Sequence, residues 1–339
     1  PSRGLGDVYK RQVLYGVDTR AYKEIDYLNN NIGEEKIFKF NGNALTSQQV
    51  GPKILWLKNN RPEIFNKTFK IVNGTAFINS KLTGNYTTDH FSAAFVSPFY
   101  DINKQDWSNE LINDLIDLEQ LPKLVWTDEV IGEVSAKASK ETGLAEGTIV
   151  SSGTIDAAAE ALSVGVTGSG DMMMMYGSTM FFISITDSIL SDSRLWYAPW
   201  LFKGEHSLMG GLATSGTLTH WFKNNFAKDL QGDDIFIKLA KEAEQSPPGA
   251  KEIIFLPYFS GERTPIHDTH AKGSFFGLDL THNRSDMYRS IIEGIAYGTK
   301  HVFDTFKELN YVPSKLYSVG GGTKNKIWSQ TTSDIIGLN

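Results

Sequence analysis

Apolar residues along this chain follow two spacings, one typical of helices and one of short strands, and the two kinds of segment alternate. The helical spacing predicts helices or helical turns at Val50–Asn59, Asn79–Leu82, Trp107–Leu118, Asp156–Leu162, Thr217–Asn225, a long segment capped by Ser285, and Ile327–Ile336. Short apolar runs predict strands at Phe69–Val72, Met172–Tyr176, Phe181–Thr186, Leu208–Thr214, Ile253–Leu256 and Leu316–Val319, and Ile149–Gly153 is predicted to be a strand that runs into a loop. The alternation predicts an α/β fold.

The chain is long enough for two domains, since it has 339 residues of which 40% are hydrophobic. We predict one domain over residues 13–162 and a second over 163–339, because the pattern breaks near Leu162. Residues 1–12 have no apolar period, are basic in an otherwise acidic chain, and lack the apolar region of a signal peptide. They are predicted to be a non-native leader.

Charge and composition narrow the possible partners. The net charge is −6 and the pI about 5.7, so a broad basic surface for nucleic acid is not expected. The chain has no cysteine, which rules out disulfides and thiolate metal sites and suits a cytoplasmic enzyme. Apolar runs stay shorter than the ~20 residues of a membrane span. The expected partners are small molecules, with a homodimer possible.

Two turns have the composition of ligand-binding loops. Gly320, Gly321 and Gly322 lie between a strand and a helix, where glycine lets the backbone approach a ligand and the helix start offers N–H groups. Gly177, Ser178 and Thr179 form a hairpin tip whose hydroxyl and N–H groups suit phosphate. Taken alone, each turn also fits a plain structural turn without a ligand, which is common between such elements.

Asp156 is the most specific candidate for chemistry in this sequence. It begins an alanine-rich helix after a Ser-Ser-Gly-Thr loop, where a carboxylate can accept a proton from a hydroxyl group or simply stabilise the helix start. His267 and His270 lie in a loop rich in proline and aspartate and do not predict a metal site. A P-loop, a nucleophile elbow and a dinucleotide fingerprint are all absent from the sequence.

Several stretches together resemble the FGGY family of carbohydrate kinases, and within it the kinases of xylulose. The strongest is Leu256–Pro265, continued by Gly273–Leu278 and Arg289–Gly294, and Gly320–Gln330 is similar to the family's adenosine motif. The resemblance covers nearly all of the chain from Val13 onward. It implies an actin-like, ribonuclease-H-like two-domain ATPase fold with ATP in the cleft between the domains.

The resemblance also implies roles for individual residues. Asp156 matches the general base that takes the proton of the sugar hydroxyl, with ATP and Mg²⁺ as cofactors. The positions that match the nucleotide site are Gly177, Ser178, Thr179, Gly216, His220, Gly321, Gly322 and Asn325. The activity implied is phosphorylation of D-xylulose to D-xylulose 5-phosphate. Alternatives are kinases for ribulose, gluconate, erythritol or glycerol, or a non-catalytic actin-like nucleotide-binding protein.

The sequence departs from the family pattern in two places. The Asp-Gly phosphate loop with which family members begin is not found, because Val13 already matches a position well inside the first domain. The last part of the second domain is not found either. We therefore expect a fragment that is incomplete at both ends and transfers little phosphate by itself. The hairpin tip reads Gly-Ser-Thr where Gly-Thr-Ser is commoner, which keeps a hydroxyl at each position.

Overall fold

A computed structural model describes residues 13–14 and 18–338 of this chain. The leader predicted over residues 1–12 lies outside the described residues. The chain folds as two compact units: the first runs to Asp156 and includes Tyr197–Gly204, and the second comprises Ala157–Trp196 and the residues from Glu205 onward. The predicted division at residues 162 and 163 stays a prediction.

The first unit consists of short helices and two-stranded sheets. Its helices are α1 (Tyr22–Ile32), α2 (Glu34–Asn41), α3 (Gly51–Asn60), α4 (Pro62–Phe65), α5 (Gly74–Thr83), α6 (His90–Ala93) and α7 (Ala136–Thr142). Its strands are β1 (Thr87–Asp89), β2 (Tyr100–Asp101), β3 (Asp106–Trp107), β4 (Lys123–Val125), β5 (Val130–Glu133) and β6 (Ile149–Ser151). Strands β1 and β4 pair in parallel, whereas β2 with β3 and β5 with β6 pair antiparallel.

The core of the first unit forms where α1, α2 and α3 pack against the loops that follow β3. Its buried members are Leu28, Ile37, Leu45, Ile54, Leu55, Phe99, Leu115, Ile116 and Leu121. Helix α5 has a capping residue at each end. The Asn73 side chain accepts a hydrogen bond of 2.8 Å from the Ala76 N–H at its start, and Gly84 ends it with φ +84°.

Two predicted elements of the first unit are wrong. Phe69–Val72 is an irregular segment rather than a strand, and Trp107–Leu118 is a series of turns rather than a helix. Leu115 and Ile116 are buried as predicted, so the apolar pattern correctly marked core positions. The helix fails because asparagine and aspartate are frequent in this segment and favour turns, and Asp117 caps a short 3₁₀ helix, Leu118–Gln120.

The second unit is built on a mixed sheet. Its helices are α8, which begins at the unit boundary (Asp156–Ser163), α9 (Gly216–Phe226), α10 (Ile235–Ala243), α11 (Arg284–Glu308) and α12 (Lys326–Ile336). Its strands are β7 (Asp171–Tyr176), β8 (Met180–Thr186), β10 (His206–Leu212), β11 (Ile254–Leu256), β12 (Ser274–Phe276) and β13 (Lys315–Val319). Between β8 and β10, strand β9 (Trp196–Pro199) carries the chain from the second unit into the first.

Four strands of that five-stranded sheet lie in the order β13, β7, β8, β10. Strand β13 runs parallel to β7, while β8 is antiparallel to both of its neighbours. The ends of β7 and β13 therefore lie side by side, and the loops that follow these two strands leave the same edge of the sheet. Each strand that was predicted for this unit is confirmed, and its two ends lie within two residues of the predicted ends.

Helix α11 supplies much of the core of the second unit. Its buried apolar residues include Tyr288, Ile291, Ile292, Ile295, Val302, Phe303 and Phe306. The cap predicted at Ser285 is wrong, because Asn283 caps the helix in a reciprocal box with Asp286. Ser285 instead lies one residue inside the helix and donates its backbone N–H to the Asn283 side chain. Across the described ranges, helices long and apolar enough to cross a membrane are not found.

Candidate functional site

Asp156 lies at the first residue of α8, directly after the irregular segment that follows β6. Asp156 is exposed to solvent. Gly153 in that segment has φ +68°, a conformation that lets the chain turn sharply between strand and helix. This position agrees with both predicted alternatives, a general base and a helix-stabilising residue, and the catalytic role stays a prediction.

The hairpin tip Gly177–Thr179 is anchored to the start of α9. The carbonyl oxygen of Gly177 accepts the Gly216 N–H at 3.0 Å, and that of Ser178 accepts the N–H and the hydroxyl of Thr217 at 3.2 and 2.6 Å. A Cβ atom at Gly216 would lie 2.5 Å from the carbonyl oxygen of Gly177, so the close approach requires glycine. The N–H groups of Gly216 and Thr217 at the start of α9 are thus bonded to the tip.

The Gly320–Gly322 loop packs against the residue before the same tip. A Cβ atom at Gly320 would lie 2.6 Å from the carbonyl oxygen of Tyr176, and one at Gly322 would lie 2.8 Å from the Tyr176 Cβ. The Tyr176 ring contacts Trp328 edge-on at 5.3 Å, which joins the loop to α12. Burial raises the pKa of Tyr176, so its hydroxyl stays protonated. Tyr176 therefore links the two glycine loops at one edge of the sheet.

The remaining residues predicted for the nucleotide site are Asn325 and His220. Asn325 is the N-cap of α12, and its side-chain oxygen accepts the Trp328 N–H at 3.3 Å. His220 is exposed on α9 and contacts the Phe236 ring edge-on at 4.7 Å. A groove of about 430 Å³ lies between α12 and the face of β7 and β13. Its lining includes Tyr176 and Thr323 but none of the predicted nucleotide residues.

The signature segment Gly261–Pro265 braces the strand that leads into α9. Glu262 is buried, and its Oε1 atom accepts the N–H groups of Ala213 and Arg263, both at 2.7 Å. The Arg263 guanidinium donates to the carbonyl oxygen of Leu212 at 2.9 Å. Burial raises the pKa of Glu262. The motif that is most specific in the sequence thus supports the turn beneath the hairpin tip, a contact that sequence reasoning missed.

The acidic and histidine residues are the candidate metal ligands of this chain. Within residues 13–14 and 18–338, His, Asp and Glu do not gather in groups of three or more that could hold a metal ion. The Nε2 atom of His267 lies 3.0 Å from the carbonyl oxygen of Arg194, away from His270. The described residues do not fit a metal centre held by the protein alone.

Fold and loops together define a two-domain α/β protein of the actin-like ATPase type. The model of the FGGY family of carbohydrate kinases, N-terminal domain, matches residues 11–163, and that of the C-terminal domain of the same family matches residues 167–339. The chain belongs to the FGGY family of carbohydrate kinases. The predictions of family and fold class are confirmed.

Three relatives illustrate the similarity. The xylulose kinase of Staphylococcus xylosus is 29% identical over 333 residues, which cover 97% of this chain and 68% of that protein. The crystal structure of xylulose kinase from Rhodospirillum rubrum has a TM-score of 0.89 at 28% identity, covering 95% of this chain and 65% of that one. The structure of gluconate kinase from Lactobacillus acidophilus has a TM-score of 0.84 at 26% identity, covering 96% and 65%. This chain spans about two thirds of each relative's length.

Proposed function

We propose that this chain is part of an ATP-dependent sugar kinase in which the second unit binds the nucleotide. The observation that supports this most directly is the convergence of two glycine loops at one sheet edge. Gly216 and Gly320 each occupy a position where a Cβ atom would come within 2.6 Å of a neighbouring backbone oxygen. Glycine at these positions lets the loops pack closely together. The tip also carries the side chains of Ser178 and Thr179, and hydroxyl groups are donors that phosphate oxygens accept.

In the same proposal Asp156 is the general base for the sugar hydroxyl. Phosphoryl transfer depends mainly on alignment and charge stabilisation, and a carboxylate that accepts the hydroxyl proton is sufficient as base. The exposed position at the start of α8 leaves Asp156 accessible to a small substrate. Mg²⁺ would be bound chiefly by the phosphates of the nucleotide, as is usual for this ion.

The sugar that we propose is D-xylulose, which would yield D-xylulose 5-phosphate. The similarity to the xylulose kinases of S. xylosus and R. rubrum supports this substrate. The similarity to a gluconate kinase at nearly the same TM-score makes gluconate the second candidate. Ala157, beside the proposed base, has no polar side chain for the sugar, so other residues must supply the specific contacts.

The decisive test separates nucleotide binding from transfer. ADP release would be measured in a kinase-active protein that contains this sequence, with D-xylulose, D-ribulose, gluconate and glycerol as acceptors. Asp156→Asn should lower kcat by at least about 100-fold, because the base is lost, while ADP affinity measured by calorimetry stays within about twofold. Unchanged turnover in Asp156→Asn would refute the assignment of the base. Turnover with gluconate alone would replace the proposed substrate.

A further inference from the structure

A buried carboxylate in the first unit lies beside the segment that carries Asp156. Asp89 ends β1, is 1% exposed, and accepts the Ser92 N–H at 3.2 Å as the cap of α6. The same oxygen, Oδ2, accepts the hydroxyl of Thr154 at 2.8 Å. Burial raises the pKa of Asp89. A side chain that is costly to bury is thus placed where it binds a residue two positions before Asp156.

The same segment is held at two further points by α5. The Asn79 amide donates to the carbonyl oxygen of Ser152 at 3.0 Å, and it also contacts the Thr87 hydroxyl at 3.2 Å. The Thr75 hydroxyl donates to the carbonyl oxygen of Thr154 at 3.4 Å. These bonds cross the unit from α5 and β1, over 65 to 79 positions in sequence.

Two features distinguish this arrangement from a plain helix cap. Asp89 already caps α6 through its bond to Ser92, so its bond to Thr154 adds nothing that α6 needs. The segment between β6 and α8 has no regular backbone pairing of its own. Side chains from other elements, together with the bond from the Ser152 N–H to the carbonyl oxygen of Glu129 at 3.2 Å, therefore help to fix the segment that leads into Asp156.

We propose that Asp89 and Thr154 are positioning residues for Asp156, acting through the hydrogen bond between the Asp89 carboxylate and the Thr154 hydroxyl. The inference rests on the proposed function, in which Asp156 is the base. Positioning by this bond requires a hydroxyl at residue 154 and an acceptor at residue 89. It does not require the methyl group of threonine.

The test compares variants that differ in the hydroxyl alone, in a kinase-active protein that contains this sequence. Thr154→Val keeps the shape and should lower kcat by about 10- to 100-fold, because errors near 1 Å in positioning reduce rates by that order. The KM for ATP should stay within about twofold, because the binding energy that substrate and transition state share is unchanged. Thr154→Ser restores the hydroxyl and should recover most of kcat. Thr148→Val is the matched control, because the Thr148 hydroxyl bonds to the carbonyl oxygen of Ala145 in an exposed turn.

Substitutions at Asp89 test the partner of the same bond. Asp89→Asn keeps an acceptor oxygen and should retain more activity than Asp89→Leu, which has none. Thermal unfolding and ADP affinity verify that each variant is folded, and the Ser and Asn variants carry the test if Thr154→Val does not fold. Equal kcat in folded Thr154→Val and wild type would overturn the proposal. Loss of activity in Asp156→Asn together with full activity in Thr154→Val rejects the positioning role alone, whereas an active Asp156→Asn rejects the proposed function as well.

Discussion

Single glycines in the loops of the second unit carry backbone conformations that other residues adopt at a cost. Gly320 has φ +98° and ψ 172°, a region almost restricted to glycine. Gly320→Ala should therefore lower the free energy of unfolding by about 1–3 kcal/mol from backbone strain, with further loss from the contact at Tyr176. Urea denaturation measures the change.

The matched control is the next residue. Among described atoms beyond its chain neighbours, nothing lies within 4 Å of the Cβ that an alanine at Gly321 would add, and its φ is not positive. Gly321→Ala should change the free energy of unfolding by no more than about 0.5 kcal/mol. Equal losses in the two variants would contradict the steric explanation.

Individual site residues were partly predictable from local sequence. The glycine loops and Asp156 stand at strand-to-helix or hairpin turns, and such turns are visible in the pattern of one chain. Asp89 gave no comparable signal, because Thr154 lies 65 positions away and the contact exists only after folding. Glu262 lies in the Leu256–Pro265 stretch, but its bond to Ala213 spans 49 positions and could not be inferred from that stretch alone.

At the scale of elements, the start of α11 gives a clear test of capping. The Asn283 side chain accepts the N–H of Ser285 at 2.9 Å, and the Asp286 side chain accepts the N–H of Asn283 at 3.0 Å. Asn283→Ala should lower the free energy of unfolding by about 1 kcal/mol, since a capping acceptor is lost. Ser285→Ala, at the position predicted as the cap, should cost at most about 0.5 kcal/mol. Chemical denaturation distinguishes them, and a larger loss for Ser285→Ala would contradict the observed cap.

Element boundaries were predicted best where the backbone bonds are regular. Strands β7, β8 and β13 pair along their whole length, and their apolar runs were sufficient to find them. The segment Trp107–Leu118 has helical apolar spacing but no helix, because its backbone bonds go elsewhere: Trp107 pairs with Tyr100, and the Ser108 N–H donates to the carbonyl oxygen of Phe99 at 2.8 Å. Long-range contacts of this kind override local spacing.

For the whole molecule, the sequence predicted two domains of an α/β class but not the path of the chain. Residues 197–204 return to the first unit after β8, and nothing in the local pattern marks this return. Such an excursion is decided by packing between distant segments. Trp200, which belongs to the first unit, is fully buried and contacts Phe91 edge-on at 5.8 Å. These two residues are far apart in the sequence, so the spacing of neighbouring apolar residues does not predict their contact.

Each unit contains one histidine whose pKa is lowered by burial, and together they predict how stability depends on pH. They are His90, stacked on Trp126 at 4.2 Å in the first unit, and His206 on β10 in the second. When the pH falls below the ordinary histidine pKa of about 6.5, these imidazoles become protonated in the unfolded chain but stay neutral in the folded one. Their contribution to stability is therefore complete above that value and is lost as the pH falls through the folded pKa values.

The double variant His90→Gln/His206→Gln removes these two titrations while leaving every buried carboxylate in place. Carboxyl groups whose pKa is raised by burial, such as Asp89 and Glu262, oppose the histidines, because folding favours their protonated forms. The effect of the histidines is therefore the difference between the variant and the wild type. Between pH 7 and 5 the variant should lose less unfolding free energy than the wild type, by up to about 1.4 kcal/mol for each unit of pKa shift. Urea denaturation across this range measures it, and NMR titration of the two imidazoles reports their pKa values directly. Parallel stability curves, or imidazoles that titrate at or above the ordinary value, would show that burial does not control these histidines.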